Sequence, residues 1–229
     1  MSDIDFEKLA HDLGPEGPGF AVLPDAYPEG NLVELQDELT NPELVWRQQS
    51  DVLAKSGRIK QVFSTFAHKL SQGDQAAIAK MPAFAAVAEF AAAQIASPLE
   101  SYFPPLKTWE ADEITAQKYP GITGELSGHF DLERHPGVIV TLNAVGTGIL
   151  GVESRLSPHY ITEFLMRPGS LFVQRGPGLF NEELLIGARM RQKHSVSTTD
   201  PAGRTSVTVR ANNRHTEPIK GFFYHNWQS

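Results

Sequence analysis

His129 and Asp131 stand two residues apart, and His194 follows 65 residues after His129. Two imidazoles and one carboxylate form the donor set that holds a non-haem ferrous ion on one face and leaves its other positions open. Arg204 comes ten residues after His194, and Arg210 six after that. An arginine on a strand can grip a carboxylate through two parallel hydrogen bonds. Ferrous iron beside a gripped carboxylate implies an oxygenase that uses 2-oxoglutarate as co-substrate.

These residues must be positioned by strands. Side chains two apart on a strand point the same way, so His129 and Asp131 can both face a barrel interior while Phe130 faces away. Arg204-Thr205-Ser206-Val207-Thr208-Val209-Arg210 alternates polar and apolar, which puts Arg204, Ser206, Thr208 and Arg210 on one inward face. Inward charge is costly without a partner, and a bound dicarboxylate supplies one. Arg204 with the Ser206 hydroxyl suits the distal carboxylate. Arg210, nearer the metal, suits either Asp131 or the proximal carboxylate. A His-x-Asp triplet alone is a weak signal, and the ordered combination carries the argument. His135 and His159 lie in polar turns; His135 is expected to be solvated, and His159 is the second candidate for the third ligand. The competing bland reading is an all-β binding protein in which these are ordinary polar groups.

The supporting elements divide near residue 110. The first part reads as mostly helical: a short strand from Phe20 that stops at Pro24, a helix over 32–39, a helix start at Asn41-Pro42-Glu43, and a helix opening at Pro82. In that last helix Phe84, Val87, Ala88, Ala91 and Ile95 form one apolar stripe. Residues 57–66 alternate like a hairpin strand. Beyond residue 110, strands are expected at 113–119, around 129, and at 137–142, 148–152, 160–166, 170–174, 194–197 and 205–209, separated by Gly and Pro turns. About four strands fit between Asp131 and His194. Many short strands of this kind suggest an α+β fold: a double-stranded β-helix (jelly-roll) core over 111–215, an N-terminal helical layer over 1–110, and a tail over 216–229, all one domain.

Composition narrows the setting. The 229 residues carry a net charge of -7 and no cysteine, which excludes disulfides and thiolate metal sites. No apolar run reaches the ~18–20 residues of a membrane span. A cytoplasmic protein is expected. Acidic balance disfavours nucleic acid, whose binding relies on Lys and Arg at phosphates, although Arg47, Lys55, Arg58, Lys60, His68 and Lys69 form a local basic candidate.

Residues 115–213 resemble the catalytic core of the AlkB-like 2-oxoglutarate/Fe(II) dioxygenases. The resemblance is carried by Tyr119-Pro120-Gly121 ahead of His129-Phe130-Asp131, by Pro168-Gly169-Ser170-Leu171 ahead of His194, and by the Arg204–Arg210 segment. That segment resembles the family's Arg-x-Asn-Leu-Thr-Phe-Arg, with Ser206 in place of its Asn; Gln117 stands where the family has an Asn before its Tyr. The resemblance implies Fe(II) held by His129, Asp131 and His194. It implies 2-oxoglutarate chelating that iron with Tyr119 also in contact, O2 as oxidant, and release of succinate and CO2. Hydroxylation, demethylation or desaturation follows rather than halogenation, because Asp131 occupies the position a halide would need. A small-molecule substrate is the first expectation, and an alkylated nucleic-acid base the second. Candidate substrate contacts are Trp46, Arg47, Arg58, Lys60, Phe63, Phe66, Trp109, Arg189 and Arg191. The Gly/Pro-rich loop 175–181 is a candidate lid.

Overall fold

The computed structural model describes residues 4–54, 57–69, 79–131, 135–153, 161–179 and 192–211. Among the described residues, its core is eight antiparallel strands divided between two sheets. β7 (Glu113–Tyr119), β9 (Val138–Val145), β12 (Leu171–Arg175) and β14 (Arg204–Arg210) lie in the major sheet. β8 (Glu125–His129), β10 (Gly148–Glu153), β11 (Ile161–Met166) and β13 (His194–Thr198) lie in the minor sheet. The orders β12-β9-β14-β7 and β11-β10-β13-β8 are those of a jelly roll. Four described strands separate β8 from β13, about the number for which the spacing of the histidines leaves room.

The N-terminal part supplies more strand than its sequence promised. β1 (Phe20–Leu23) adds to the major sheet beside β12. β6 (Ser64–Lys69) and β2 (Arg47–Gln48) extend the opposite edge, β5 (Gln61–Val62) pairs with β8, and β3 (Val52–Ala54) with β4 (Gly57–Ile59) forms a separate hairpin. The single strand expected over 57–66 is thus divided among β4, β5 and β6.

Helices cover the outer face of the major sheet. α1 (Phe6–Leu13), not foreseen from sequence, is capped by Asp5, whose carboxylate accepts from the Lys8 N–H at 2.9 Å. α2 (Glu29–Leu39) buries Leu32, Leu35 and Leu39. α3 (Pro82–Phe90) opens at proline and continues through a π-helical stretch, Ala91–Ala96. Its expected stripe of Phe84, Val87, Ala88, Ala91 and Ile95 is buried throughout. Glu38 of α2 caps α3, its two carboxylate oxygens each accepting from a backbone N–H, of Ala83 and Phe84, at 2.8 Å. No helix starts at Asn41. There the Asn41 side chain accepts from the Glu43 N–H at 2.9 Å, an Asx turn that satisfies locally what a helix would have used.

Strand alternation separates two environments. Val138, Val140, Leu142 and Ala144 of β9, with Val207 and Val209 of β14, belong to the helix-facing core. Their neighbours Thr141, Ser206 and Thr208 face the space between the sheets, where Leu150, Val152, Met166 and Phe172 form a smaller apolar cluster.

Candidate metal centre and carboxylate pocket

The two histidines meet because β8 and β13 are neighbours, with His129 and His194 directly opposite in register. Their ring centroids are 4.3 Å apart. β8 ends at His129, so Asp131 reaches the centre from just beyond the strand, not from the strand alternation expected. One ligand atom from each of His129, Asp131 and His194 lies within 4.8 Å of the others.

The donors are prepared for a cation. His129 Nδ1 is 3.1 Å from the Ser127 carbonyl oxygen, and His194 Nδ1 is 3.1 Å from that of Gln192. A carbonyl only accepts, so each Nδ1 carries a proton, which leaves Nε2 as the ring nitrogen that can ligate. His194 Nε2 faces Asp131 Oδ2 at 3.7 Å. Burial lowers the His129 pKa to about 4, assisted by the neighbouring His194, which keeps the ring neutral near pH 7. Burial pushes the Asp131 carboxyl up, but Arg210, then His194 and His129, outweigh it and hold the group well below the ordinary carboxylate range. Arg210 Nη2 donates to Asp131 Oδ1 at 3.3 Å, and its Nη1 donates to Glu113 Oε1 at 3.3 Å across the β14–β7 pair. Asp131 is one of the two partners expected for Arg210. Gln174 of β12 also donates to Asp131, through Oδ2.

A cleft runs from this centre between the sheets, lined among others by Tyr119, Arg204, Ser206, Thr208 and Arg210. Arg204 lies opposite Tyr119 on the paired strands, its guanidinium carbon 5.2 Å from the ring centroid. Burial raises the Tyr119 pKa, with Arg204 opposing, and burial likewise works against the charge on Arg204. Arg204 Nη1 and Ser206 Oγ are buried and have no hydrogen-bond partner among the described residues. Orphaned polar atoms of this kind in a cleft are a costly arrangement that an anionic ligand would relieve.

Solved structures that resemble this one include, by their descriptions, two prolyl hydroxylases and a 2OG-Fe(II) oxygenase family member. A Pseudomonas putida prolyl-4-hydroxylase superposes with a TM-score of 0.57 at 14% identity, over 90% of this chain and 98% of its own. A Burkholderia pseudomallei oxidoreductase of the 2OG-Fe(II) oxygenase family gives 0.57 at 14%, over 93% and 96%. A Trichoplax adhaerens prolyl hydroxylase, in complex with a peptide fragment of a hypoxia inducible factor oxygen degradation domain, gives 0.54 at 12%, over 90% and 88%. At these identities the likeness establishes the shared jelly-roll fold. No family model and no curated protein sequence matches the chain.

Several other expectations are corrected. His135 is not solvated: it is 2% exposed, with Nδ1 at 3.2 Å from the Ala211 carbonyl oxygen, and burial lowers its pKa. Loop 175–181 is not a free lid over its described part. Arg175 is buried and donates to the Leu13 and Gly14 carbonyls at 3.1 and 2.7 Å, and Leu179 is buried. Trp46 and Phe66 pack in the helix-side core, and Trp109 joins them while donating to the Val138 carbonyl at 3.1 Å. Phe63 backs Tyr119 with ring centroids 5.2 Å apart. Arg58 pairs with Asp51 and Lys60 with Glu125, each at 2.7 Å, and Arg47 is exposed on β2, so none of these seven lines the cleft. His159, Arg189, Arg191, Lys55 and the tail 216–229 lie outside the described residues, as do the side chains of His68 and Lys69. Gln174 and Asn143 were missed from sequence; the available signal was a polar residue on the inward register of an otherwise apolar strand. No described helix is long and apolar enough to cross a membrane.

Proposed function

We propose that the chain, acting as one domain over 1–229, is a 2-oxoglutarate- and Fe(II)-dependent dioxygenase that hydroxylates or oxidatively demethylates a small molecule. The observation that carries this reading is a two-imidazole, one-carboxylate donor set in the same cleft as a buried guanidinium nitrogen and a hydroxyl that have no hydrogen-bond partner among the described residues. The jelly-roll likeness to 2-oxoglutarate/Fe(II) oxygenases supports it. The AlkB-like resemblance rests on motif residues alone.

His129, Asp131 and His194 would hold Fe(II), and Arg204 and Ser206 the distal carboxylate of 2-oxoglutarate, with Tyr119 also in contact with that co-substrate. When bound, these groups with O2 supply the oxidising chemistry, one oxygen atom going to substrate and one to succinate as CO2 leaves. Arg210 keeps the Asp131 carboxylate ionised and oriented. The Ser127 and Gln192 carbonyls fix which imidazole nitrogen faces the centre. Leu126, Leu150, Met166, Phe172 and Val196 give the cleft apolar walls that limit water.

The test is anaerobic metal binding followed by turnover of 2-oxoglutarate to succinate, with and without metabolite extract. Metal uptake lost in His129→Ala, and succinate formation lost in both that variant and Arg204→Ala, is the expected result. A wild-type chain that takes up neither Fe(II) nor Mn(II) and forms no succinate would leave a non-catalytic binding protein. Because one structural neighbour holds a peptide, peptides belong in the substrate screen. Binding to single-stranded DNA or RNA that weakens steeply with salt would favour the nucleic-acid reading instead.

A further inference from the structure

Asn143 sits on β9 directly opposite Ser206 of β14 and is fully buried. Its side-chain nitrogen donates to the Gly146 carbonyl at 2.7 Å and to the Met166 carbonyl at 3.3 Å. Both are acceptors, so the amide has one orientation, with Oδ1 turned toward β14. That oxygen accepts from Arg204 Nε. The backbone of Asn143 is held too: its N–H donates to Ser170 and its carbonyl accepts from Gly169, both at 2.9 Å.

The turn after Asn143 is shaped around the same arginine. A Cβ at Gly148 would meet Arg204 Cδ at 2.7 Å and Nε at 3.2 Å, so glycine there leaves room for the side chain. Gly146 has φ +65°, and a Cβ on it would lie 2.1 Å from the Gly203 carbonyl oxygen, at the start of β14. The β9–β10 connection is therefore a socket. It holds Arg204 at Cδ and Nε, while Nη1 has no partner among the described residues.

We propose that Asn143 is the positioning residue for the co-substrate's distal carboxylate. By fixing Arg204 through Nε it reserves Nη1 for the ligand, and so sets the preference for a dicarboxylic over a monocarboxylic 2-oxo acid. This rests on the reading of Arg204 as the carboxylate grip. Asn143 does not line the cleft, so it acts only through the arginine.

The experiment is calorimetric binding of 2-oxoglutarate and of 2-oxobutyrate to the full chain, loaded with Mn(II) without oxygen. Wild-type protein should bind 2-oxoglutarate more tightly. In Asn143→Leu and Asn143→Ser the 2-oxoglutarate Kd should rise about ten- to hundredfold, the usual worth of a hydrogen bond to a charged group. The 2-oxobutyrate and Mn(II) affinities should not change. General damage to the fold would weaken both acids together, and that result, or no change in either, overturns the proposal. Asn143→Asp guards against a Leu variant that does not fold. It keeps an oxygen on Arg204 but adds a competing carboxylate, and should also weaken 2-oxoglutarate selectively. Equal binding of the two acids by wild-type protein would instead refute the role of Arg204 itself.

Discussion

Acid should unfold the metal-free protein through its neutral histidines. Burial, with His194 second, holds His129 at about 4, against ~6.5 for an imidazole in the unfolded chain. Between those values the unfolded state binds the proton and the folded state refuses it. Stability is therefore complete above about pH 6.5 and falls as pH drops toward 4. The gap is worth about 3 kcal/mol. His135 shifts the same way, first through burial and then through Arg210, and deepens the loss. Asp131 is displaced downward, so its contribution disappears only below the ordinary carboxylate range and leaves this window clear. Urea unfolding in EDTA from pH 8 to 4.5 measures the effect. The His129→Asn variant should lose about 3 kcal/mol less than wild type across the full window. Parallel pH curves for the two proteins would refute the reasoning. Saturating Mn(II) should steepen the wild-type curve, because the ion competes with protons for the same imidazoles.

Phe84 is fully buried at the helix–sheet contact, so Phe84→Ala should cost about 3–5 kcal/mol in urea unfolding while Mn(II) affinity survives in the folded fraction. Arg175→Met removes two bonds to the carbonyls ending α1 and should lower stability by about 1.5–3 kcal/mol. A lid role would instead change turnover and leave the melting curve intact. Arg204 and Arg210 should separate cleanly. Arg210→Met should weaken Mn(II), since it strips Asp131 of a donor, and keep the preference for 2-oxoglutarate over 2-oxobutyrate. Arg204→Met should do the reverse, and calorimetry on both variants would expose any mixing of the two roles.

The second half of the chain was legible because its strands are short, β-rich and punctuated by Gly and Pro. Its period of two also reports facing directly: Arg204, Ser206, Thr208 and Arg210 share the cleft in the structure as their alternation requires. The register that brings His129 opposite His194 was not legible in detail, but four intervening strands left little freedom in which sheet each would join. The N-terminal part was harder. Strands of two or three residues such as β2, β4 and β5 carry too few positions for a period to register. They exist because longer strands offer them an edge, as β8 does for β5. The helix wrongly expected at Asn41 shares its N-cap residue and following proline with an Asx turn, and only tertiary context separates the two.

His135 shows the deeper reason why local reading fails. Glu133-Arg134-His135-Pro136 is polar, and polarity in a turn argues for solvent. The buried ring finds its hydrogen-bond partner in the Ala211 carbonyl, 76 residues away and just past the end of β14. Asn143 and Gln174 are the same case from the other side. Each interrupts an apolar strand, which reads as a defect until the partner is known, Arg204 for one and Asp131 for the other. A buried polar group is stable only if its hydrogen bonds are made, so an inward Asn or Gln on a strand of a jelly roll directs the search to polar groups on the elements packed around it. Applied in that direction, the rule leads from Asn143 to the arginine, and from Gln174 to the carboxylate, without any motif being recognised first.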